Sequence, residues 1–196
     1  MFSRQKKNSV NLLILAGLFI VGVSFLIVGC ASTPKAPATL DPAVKKPQLI
    51  VNPDTISLGV DKLMNKTTIV FEGSGFKPKD SVFISLIADG IDVPVASGVV
   101  GSNGTFKASV DTLAKITGLL RATPRSTYAK DGKQLVTMVL TQPTIPPGEY
   151  TARATSMISD KTADTKVVLR KPSFGESIVD GLGGALGKIE DKRPAN

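Results

Sequence analysis

The chain has 196 residues, with 24 lysines and arginines, 16 acidic residues, one cysteine, and no histidine or tryptophan. A single cysteine excludes an intrachain disulfide framework, and the lack of histidine excludes Ser-His-Asp and Cys-His catalysis as well as the common zinc sites. The basic residues are scattered and are not interleaved with aromatic ones, so no nucleic-acid partner is predicted.

The N-terminal part combines a basic head with an apolar stretch. Met1 to Asn8 carries three basic residues and no acid, and Val10 to Val28 is almost wholly apolar. This order is typical of an export signal. A run of about 18 or more apolar residues can also remain as a membrane-spanning helix. Residues 1–29 therefore allow two interpretations, a cleaved signal peptide or a retained signal anchor.

The only cysteine follows this stretch directly. The motif Ile27-Val28-Gly29-Cys30 resembles the lipobox of bacterial lipoproteins. The resemblance implies that residues 1–29 are removed as a signal peptide and that Cys30 is acylated and anchors the chain in the lipid bilayer of the cell envelope. Ala31 stands where an inner-membrane retention signal typically has Asp, which implies the outer membrane if the cell has one.

Residues 30–48 follow as a Pro-, Ala- and Lys-rich segment. Prolines occur at positions 34, 37, 42 and 47, and the segment shows no apolar periodicity. This composition predicts a semi-extended tether between the lipidated cysteine and a folded domain.

Residues 49–171 alternate short β-type runs with turn signals, which predicts an all-β sandwich. Apolar residues recur at every second position in several runs, and Asp89-Gly90, Asn103-Gly104 and Asp131-Gly132 supply the positive φ of tight hairpins. The predicted strands are Gln48–Val51, Thr55–Leu58, Thr67–Glu72, Ser81–Ala88, Val93–Val100, Thr105–Val110, Gln134–Thr141, Glu149–Ser156 and Thr165–Arg170.

Three stretches of this region carry a family resemblance. They read GSGFKPKDSVFISL (73–86), GSNGTFKASV (101–110) and IPPGEYTARATS (145–156). Together they resemble the bacterial and archaeal Ig-like domains of the IPT/TIG type. The resemblance implies an Ig-like β-sandwich and places Tyr150 as a tyrosine corner, whose hydroxyl bonds back to the preceding loop.

Residues 111–144 depart from the simple family pattern as an insertion. Asp111 can cap a short helix from Thr112 to Arg121, with Leu113, Ile116 and Leu120 on one face. A polar loop and a strand follow. The insertion is either a mere connection or a partner-facing surface, because long loops on a rigid scaffold often carry function. Its candidate partner-facing cations are Arg121, Arg125, Lys130 and Lys133.

Residues 172–196 form a glycine-rich tail. Ser173 and Glu176 fit a capping box, which predicts a helix starting at Phe174. Four glycines weaken this helix, so burial of its apolar side against a partner, lipid or the domain itself must stabilise it. A frayed end is the alternative. The apolar side is predicted to comprise Phe174, Ile178, Leu182 and Ile189.

The sequence offers no catalytic arrangement, metal site or cofactor motif. The acidic residues lie in turns and tails, and no thiol remains once Cys30 is acylated. We therefore predict a membrane-anchored, non-enzymatic structural or protein-interaction module of the cell envelope, with an envelope protein as partner. The alternative is a ligand- or glycan-binding module, which the scarcity of aromatic residues disfavours.

Overall fold

The computed structural model describes residues 36–185 and 189–193. The export signal, the lipobox and Cys30 lie outside the described residues. Within them the chain is mostly β-strand with a few short helical segments. The strands are β1 (Gln48–Asn52), β2 (Thr55–Ser57), β3 (Val70–Ser74), β4 (Ser81–Ala88), β5 (Ile91–Val99), β6 (Phe106–Ser109), β7 (Ala122–Tyr128), β8 (Gln134–Leu140), β9 (Gly148–Ser156), β10 (Thr162–Arg170) and β11 (Ile189–Asp191).

Four helical segments complete the described fold. Two are α-helical, α1 (Thr112–Ala114) and α2 (Phe174–Ala185). The other two are single π-helical turns, Lys62–Lys66 and Lys115–Leu119. All of them lie between strands or after β10, so they cover ends and edges of the sheets.

Three sheets organise these strands. The first has the order β1-β3-β6, with both neighbouring pairs antiparallel. The second has the order β2-β10-β9-β4-β5 and is antiparallel except for the parallel pair β2 and β10. The third, with the order β11-β8-β7, contains most of the insertion and the end of the tail. This arrangement is consistent with an all-β sandwich.

The core lies between the inward faces of the first two sheets, where the predicted alternation is confirmed. Val82 and Ile84 of β4 and Phe106 of β6 are at most 4% exposed. Phe106 meets Phe76 edge to face, with the ring centroids 5.2 Å apart. Gly73 lies across from Phe106 in the β3–β6 pair, and a Cβ there would fall 2.2 Å from the Phe106 ring. Because Gly73 has no side chain, it leaves the space that the Phe106 ring occupies in this aromatic pair.

A buried carboxylate fixes one corner of the domain. Asp80, at the end of the GSGFKPKD turn, is 1% exposed. It accepts hydrogen bonds from the hydroxyls of Ser156 and Ser159 and from the backbone N–H groups of Ser81 and Ile158. These bonds, the Ser156 bond foremost, lower the pKa of Asp80. The residue joins the start of β4 to the turn between β9 and β10 and has a structural role.

The predicted corner bond of Tyr150 is confirmed. Tyr150 is buried in β9, and its hydroxyl donates to the carbonyl oxygen of Pro146 at 2.8 Å. Burial raises the pKa of this phenol. The bond fixes the entry of the chain into β9.

The insertion differs from its prediction in two ways. Asp111 caps the helix through the N–H of Ala114 as expected, but the segment begins as α1 and continues as a π-helical turn. Of the three residues predicted on one face, Ile116 and Leu120 are buried, whereas Leu113 is 59% exposed; Leu119 is buried as well. The π turn begins at Lys115, after Leu113, and its wider turn changes the angular positions of the residues up to Leu119.

The segment between that turn and β8 was predicted as a polar loop, and this prediction is wrong. It forms β7, which pairs with β8 in a hairpin turned at Asp131-Gly132, where Gly132 has φ +79°. Gly90, with φ +68°, likewise turns the β4–β5 hairpin. Asn103-Gly104 does not form a hairpin, because β5 and β6 belong to different sheets.

Part of the segment predicted as a tether runs back along β1. The N–H of Ala38 donates to Asn52 Oδ1 at 2.9 Å, and Asn52 Nδ2 donates to the carbonyl oxygen of Ala38 at 3.1 Å. At the other end of β1, Gln48 Nε2 donates to the carbonyl oxygens of Asp41 and Val44. The chain therefore leaves the described domain beside Asn52.

Candidate functional site

The tail builds the most unusual surface of the described residues. Helix α2 begins with the predicted capping box, which is confirmed. Glu176 Oε2 accepts the N–H of Ser173 at 2.9 Å, and Ser173 Oγ accepts the N–H of Glu176 at 3.4 Å. Two orphan donors of the first turn are satisfied in this way.

Glu176 also fastens α2 to the sandwich. Its carboxylate accepts a hydrogen bond from Ser57 Oγ at 2.5 Å, and it forms an ion pair with Lys62 Nζ at 2.7 Å. The Lys62 contact and then the Ser57 bond lower the pKa of Glu176 to about 2. This carboxylate remains ionised at neutral pH, so the contact persists there.

Asp180 makes the second attachment, one helical turn further on. Its two oxygens accept the N–H groups of Val60 at 2.8 Å and Asp61 at 2.9 Å. These amides lie directly before the π-helical turn Lys62–Lys66, whose N-cap residue, Asp61, makes no side-chain capping bond. Asp180 therefore caps a helical turn about 120 residues earlier in the sequence.

The apolar side of α2 faces away from these attachments. At 3.6 residues per turn, Phe174, Ile178 and Leu182 lie roughly opposite Glu176 and Asp180. They are 84%, 50% and 60% exposed. The expectation that this stripe could bury itself on the domain is wrong. The two carboxylates bond to backbone amides and a lysine of the domain. The polar side of α2 therefore faces the domain, and its apolar side faces outward.

Ile189 does not continue the helical stripe as predicted. Helix α2 ends at Ala185, and Ile189 opens β11, which pairs in parallel with β8 opposite Met138. Its side chain is half-buried and approaches Gly183 of α2, where an added Cβ would lie 3.0 Å from Ile189 Cδ1. The tail thus bridges the sandwich, through α2, and the insertion, through β11.

Several grooves lie beside α2, and two of them differ in their lining. One, of about 640 Å³, lies on the Asp180 flank and is lined in part by Glu190, Asp191 and Arg193. The other, of about 260 Å³, lies on the Val179 flank and is mainly apolar. Its lining includes Val60, Met64, Met138, Val179, Leu182 and Ile189.

The β7–β8 hairpin carries the four cations singled out in the sequence, spread from its base to its tip. Arg121 precedes β7 and has φ +51°. Arg125, within β7, pairs with Glu190 of β11 at 3.2 Å. Lys130 and Lys133 lie at the turn, and Lys133 pairs with Asp131 at 2.9 Å. The structure therefore does not gather the four cations into one binding site.

Sequence reasoning missed the apolar residues of the same hairpin. Tyr128, Leu135 and Val136 are 76%, 52% and 55% exposed. Tyr128 and Val136 share one face of the hairpin, and Leu135 lies on the other. Exposed apolar side chains therefore lie on both faces of the outer hairpin, which also carries the cations. The adjacent apolar residues Leu135 and Val136 within a predicted strand were the sequence signal for this surface. Their exposure could not be predicted from it, because it depends on the hairpin extending away from the core.

Buried charged groups elsewhere have structural partners. Lys115 is 8% exposed, and its Nζ donates to the carbonyl oxygen of Thr67 at 2.6 Å. Burial lowers the pKa of this lysine. Over the described ranges 36–185 and 189–193, no three His, Cys, Asp or Glu side chains are grouped so that they could hold a metal ion. No helix in the same ranges has the length and apolar character needed to cross a membrane.

No protein-family model matches the chain, and no curated protein is detectably similar to it.

Proposed function

We propose that the chain is a cell-envelope lipoprotein, anchored by acylated Cys30, whose folded part is a non-enzymatic protein-interaction module. The observation that carries the proposal is the β7–β8 hairpin with exposed Tyr128, Leu135 and Val136 beside Arg125 and Lys133. Aromatic residues and arginine are enriched in protein interfaces, and Tyr128 and Val136 are exposed together on one face of the hairpin.

We further propose that the sandwich is Ig-like, of the IPT/TIG type. Two features support this. The carboxylate at the end of the GSGFKPKD turn, Asp80, ties β4 to the β9–β10 turn, and Tyr150 makes a tyrosine-corner bond to Pro146. Both residues belong to the sequence motifs that resemble the family. Their contacts give those motifs a structural role in holding β4 and β9 in place.

The anchor is tested by mass spectrometry of the protein extracted from membranes. Acylation of Cys30 and loss of residues 1–29 are expected, and Cys30→Ser should abolish both. An unmodified Cys30 with residues 1–29 retained would replace the lipid anchor by a signal anchor.

The interaction surface is tested by photocrosslinking in the intact envelope. A photoreactive residue at Ser126, which is exposed on the same face as Tyr128 and Val136, should give a discrete crosslinked protein species that Tyr128→Ser/Val136→Ser weakens. The matched control places the same probe at Phe83, which is 47% exposed on β4. Identical crosslinking from both positions, or none from either, would contradict a partner site on the hairpin.

A ligand-binding function is the second candidate. The observation in its favour is the apolar groove of about 260 Å³ beside Val179, which could take a small apolar ligand. A thermal-shift screen with apolar ligands tests it, with Met64→Glu as the variant that should abolish any shift.

A further inference from the structure

Helix α2 is held by its polar side and shows its apolar side to the surroundings. The usual surface helix of a globular protein does the reverse. At 1.5 Å per residue, its 12 residues span about 18 Å, too short for a hydrocarbon core of about 30 Å. Such a helix is suited to lie in the plane of a membrane interface.

The attachment of the N-terminal segment places α2 near the anchor. Ala38 is bonded to Asn52, and Asp54, two residues on, begins the approach to β2. Ser57, at the other end of β2, is bonded to Glu176 of α2. Three residues of strand cover about 10 Å. The point where the chain leaves the domain and the start of α2 thus lie at the two ends of one short strand.

The remaining chain limits how far the domain can stand from the anchor. Cys30 lies eight residues before Ala38. At 3.3–3.6 Å per residue, those eight residues reach at most about 30 Å. A lipid on Cys30 therefore keeps the Asn52 corner within about 30 Å of the bilayer surface, and the start of α2, one short strand further on, within about 40 Å. No comparable constraint brings a second copy to this face.

The charges around α2 fit an anionic lipid surface. Arg170 and Lys171, at the end of β10 and just after it, are exposed and lie four and three residues before Phe174. Lys62 and Lys66 pair with Glu176 and Asp61 on the polar side of the helix, so they are not counted among the cations of the outward face. The helix's own carboxylates bond toward the protein. Cations close to the bilayer surface are attracted to anionic headgroups.

From these observations we propose that the outward face of α2, formed by Phe174, Ile178 and Leu182, is a second membrane contact. The face lies in the headgroup region of the bilayer that holds Cys30 and sets the orientation of the sandwich on it. The inference rests on the proposed function, because that function supplies the anchor.

The test is a spin label on the lipidated full chain in vesicles containing anionic phosphatidylglycerol. The only native cysteine is Cys30, so Ile178→Cys introduces a single label site once Cys30 is acylated. The label at 178 should gain access to oxygen and lose access to a water-soluble nickel reagent. The matched control is Phe83→Cys, half-exposed on β4, which should remain open to nickel. A sample without an introduced cysteine gives the background.

Each outcome is assigned in advance. Equal nickel access at positions 178 and 83 overturns the membrane contact. Spin–spin broadening between labels at 178 means that a second copy covers the face, and this also overturns it. Mass spectrometry of the same sample reads Cys30 separately. An unmodified cysteine with a lipid-exposed label refutes the lipid anchor but not the contact of α2, whereas an acylated cysteine with a water-exposed label refutes only the contact.

Discussion

At the scale of single residues, Glu176 accepts from three donors: Ser57 Oγ, Lys62 Nζ and the N–H of Ser173. Asp180 adds two backbone donors. Hydrogen bonds to charged groups contribute about 1.5–3 kcal/mol each. These bonds can outweigh the loss of apolar burial, which explains why α2 docks by its polar side.

The pKa of Glu176 gives a pH dependence to this docking. Because the pKa falls from 4.5 to about 2 in the folded state, ionised Glu176 stabilises the docked helix. The contribution is complete above the unfolded pKa and is lost as the pH falls from about 4.5 through about 2. The protection factor of the Ser177 amide, which is the ratio of its intrinsic to its observed exchange rate at the same pH, should fall over that window in the native chain. In Glu176→Gln the protection factor should already be low at pH 6 and change little with acid. Parallel pH profiles in the two proteins would contradict the assigned contact.

Phe106 tests the core. Phe106→Ala removes a buried ring and its edge-to-face contact with Phe76, so unfolding free energy should fall by about 3–5 kcal/mol. Urea unfolding of the leaderless chain measures it. Phe83→Ala on the outer face of β4 is the control, and its effect should be below about 1 kcal/mol. Comparable losses in both variants would show that the two sheet faces are misassigned.

At the scale of elements, the glycines of α2 lower the stability of this helix. Gly181 has no atom within 4 Å of the position its Cβ would take, so Gly181→Ala adds helix propensity without a clash. The gain of about 1 kcal/mol should slow exchange of the α2 amides about fivefold. Gly183→Ala should gain less, because its Cβ would press on Ile189 Cδ1 at 3.0 Å. Equal gains at both positions would contradict the close approach of β11.

Nine strands were predictable, and buried and more exposed residues alternate along most of them; β8, which is buried only at its last two residues, is the exception. Strand β7 was not predictable, since its sequence, ATPRSTY, contains a proline and mostly polar residues and is exposed beyond Ala122 on both faces. Strand β11 has three residues and exists only through its pairing with β8. The period of the apolar residues identified α2, but not its orientation. That depends on amides at Val60 and Asp61, far away in the sequence.

At the scale of the whole molecule, the tail links the sandwich to the hairpin. Helix α2 bonds to the loop after β2, and β11 pairs with β8 and brings Glu190 to Arg125. The buried core, in contrast, comes almost entirely from residues before Pro172. The tail therefore connects the sandwich to the hairpin, and we expect the sandwich core to fold without it.

Deletion of residues 173–196 should separate these roles. The sheet of β4, β9 and β10 should keep its slow amide exchange, because its core is intact. The hairpin should exchange faster, because β8 loses a neighbour and presents an unpaired edge. Arg125→Gln in the full chain isolates the ion pair and should have a smaller effect. Unchanged exchange in the hairpin after deletion would mean that β11 does not hold it.

The two tyrosines offer an optical consequence of this architecture. The chain contains no tryptophan, so phenol emission is not masked. Tyr128 is 76% exposed at the end of β7, next to the hairpin turn, whereas Tyr150 is 2% exposed beneath its bond to Pro146. Acrylamide should quench the first and spare the second. Unlabelled protein thus carries one fluorescent reporter for events on the hairpin and another for the integrity of the sandwich.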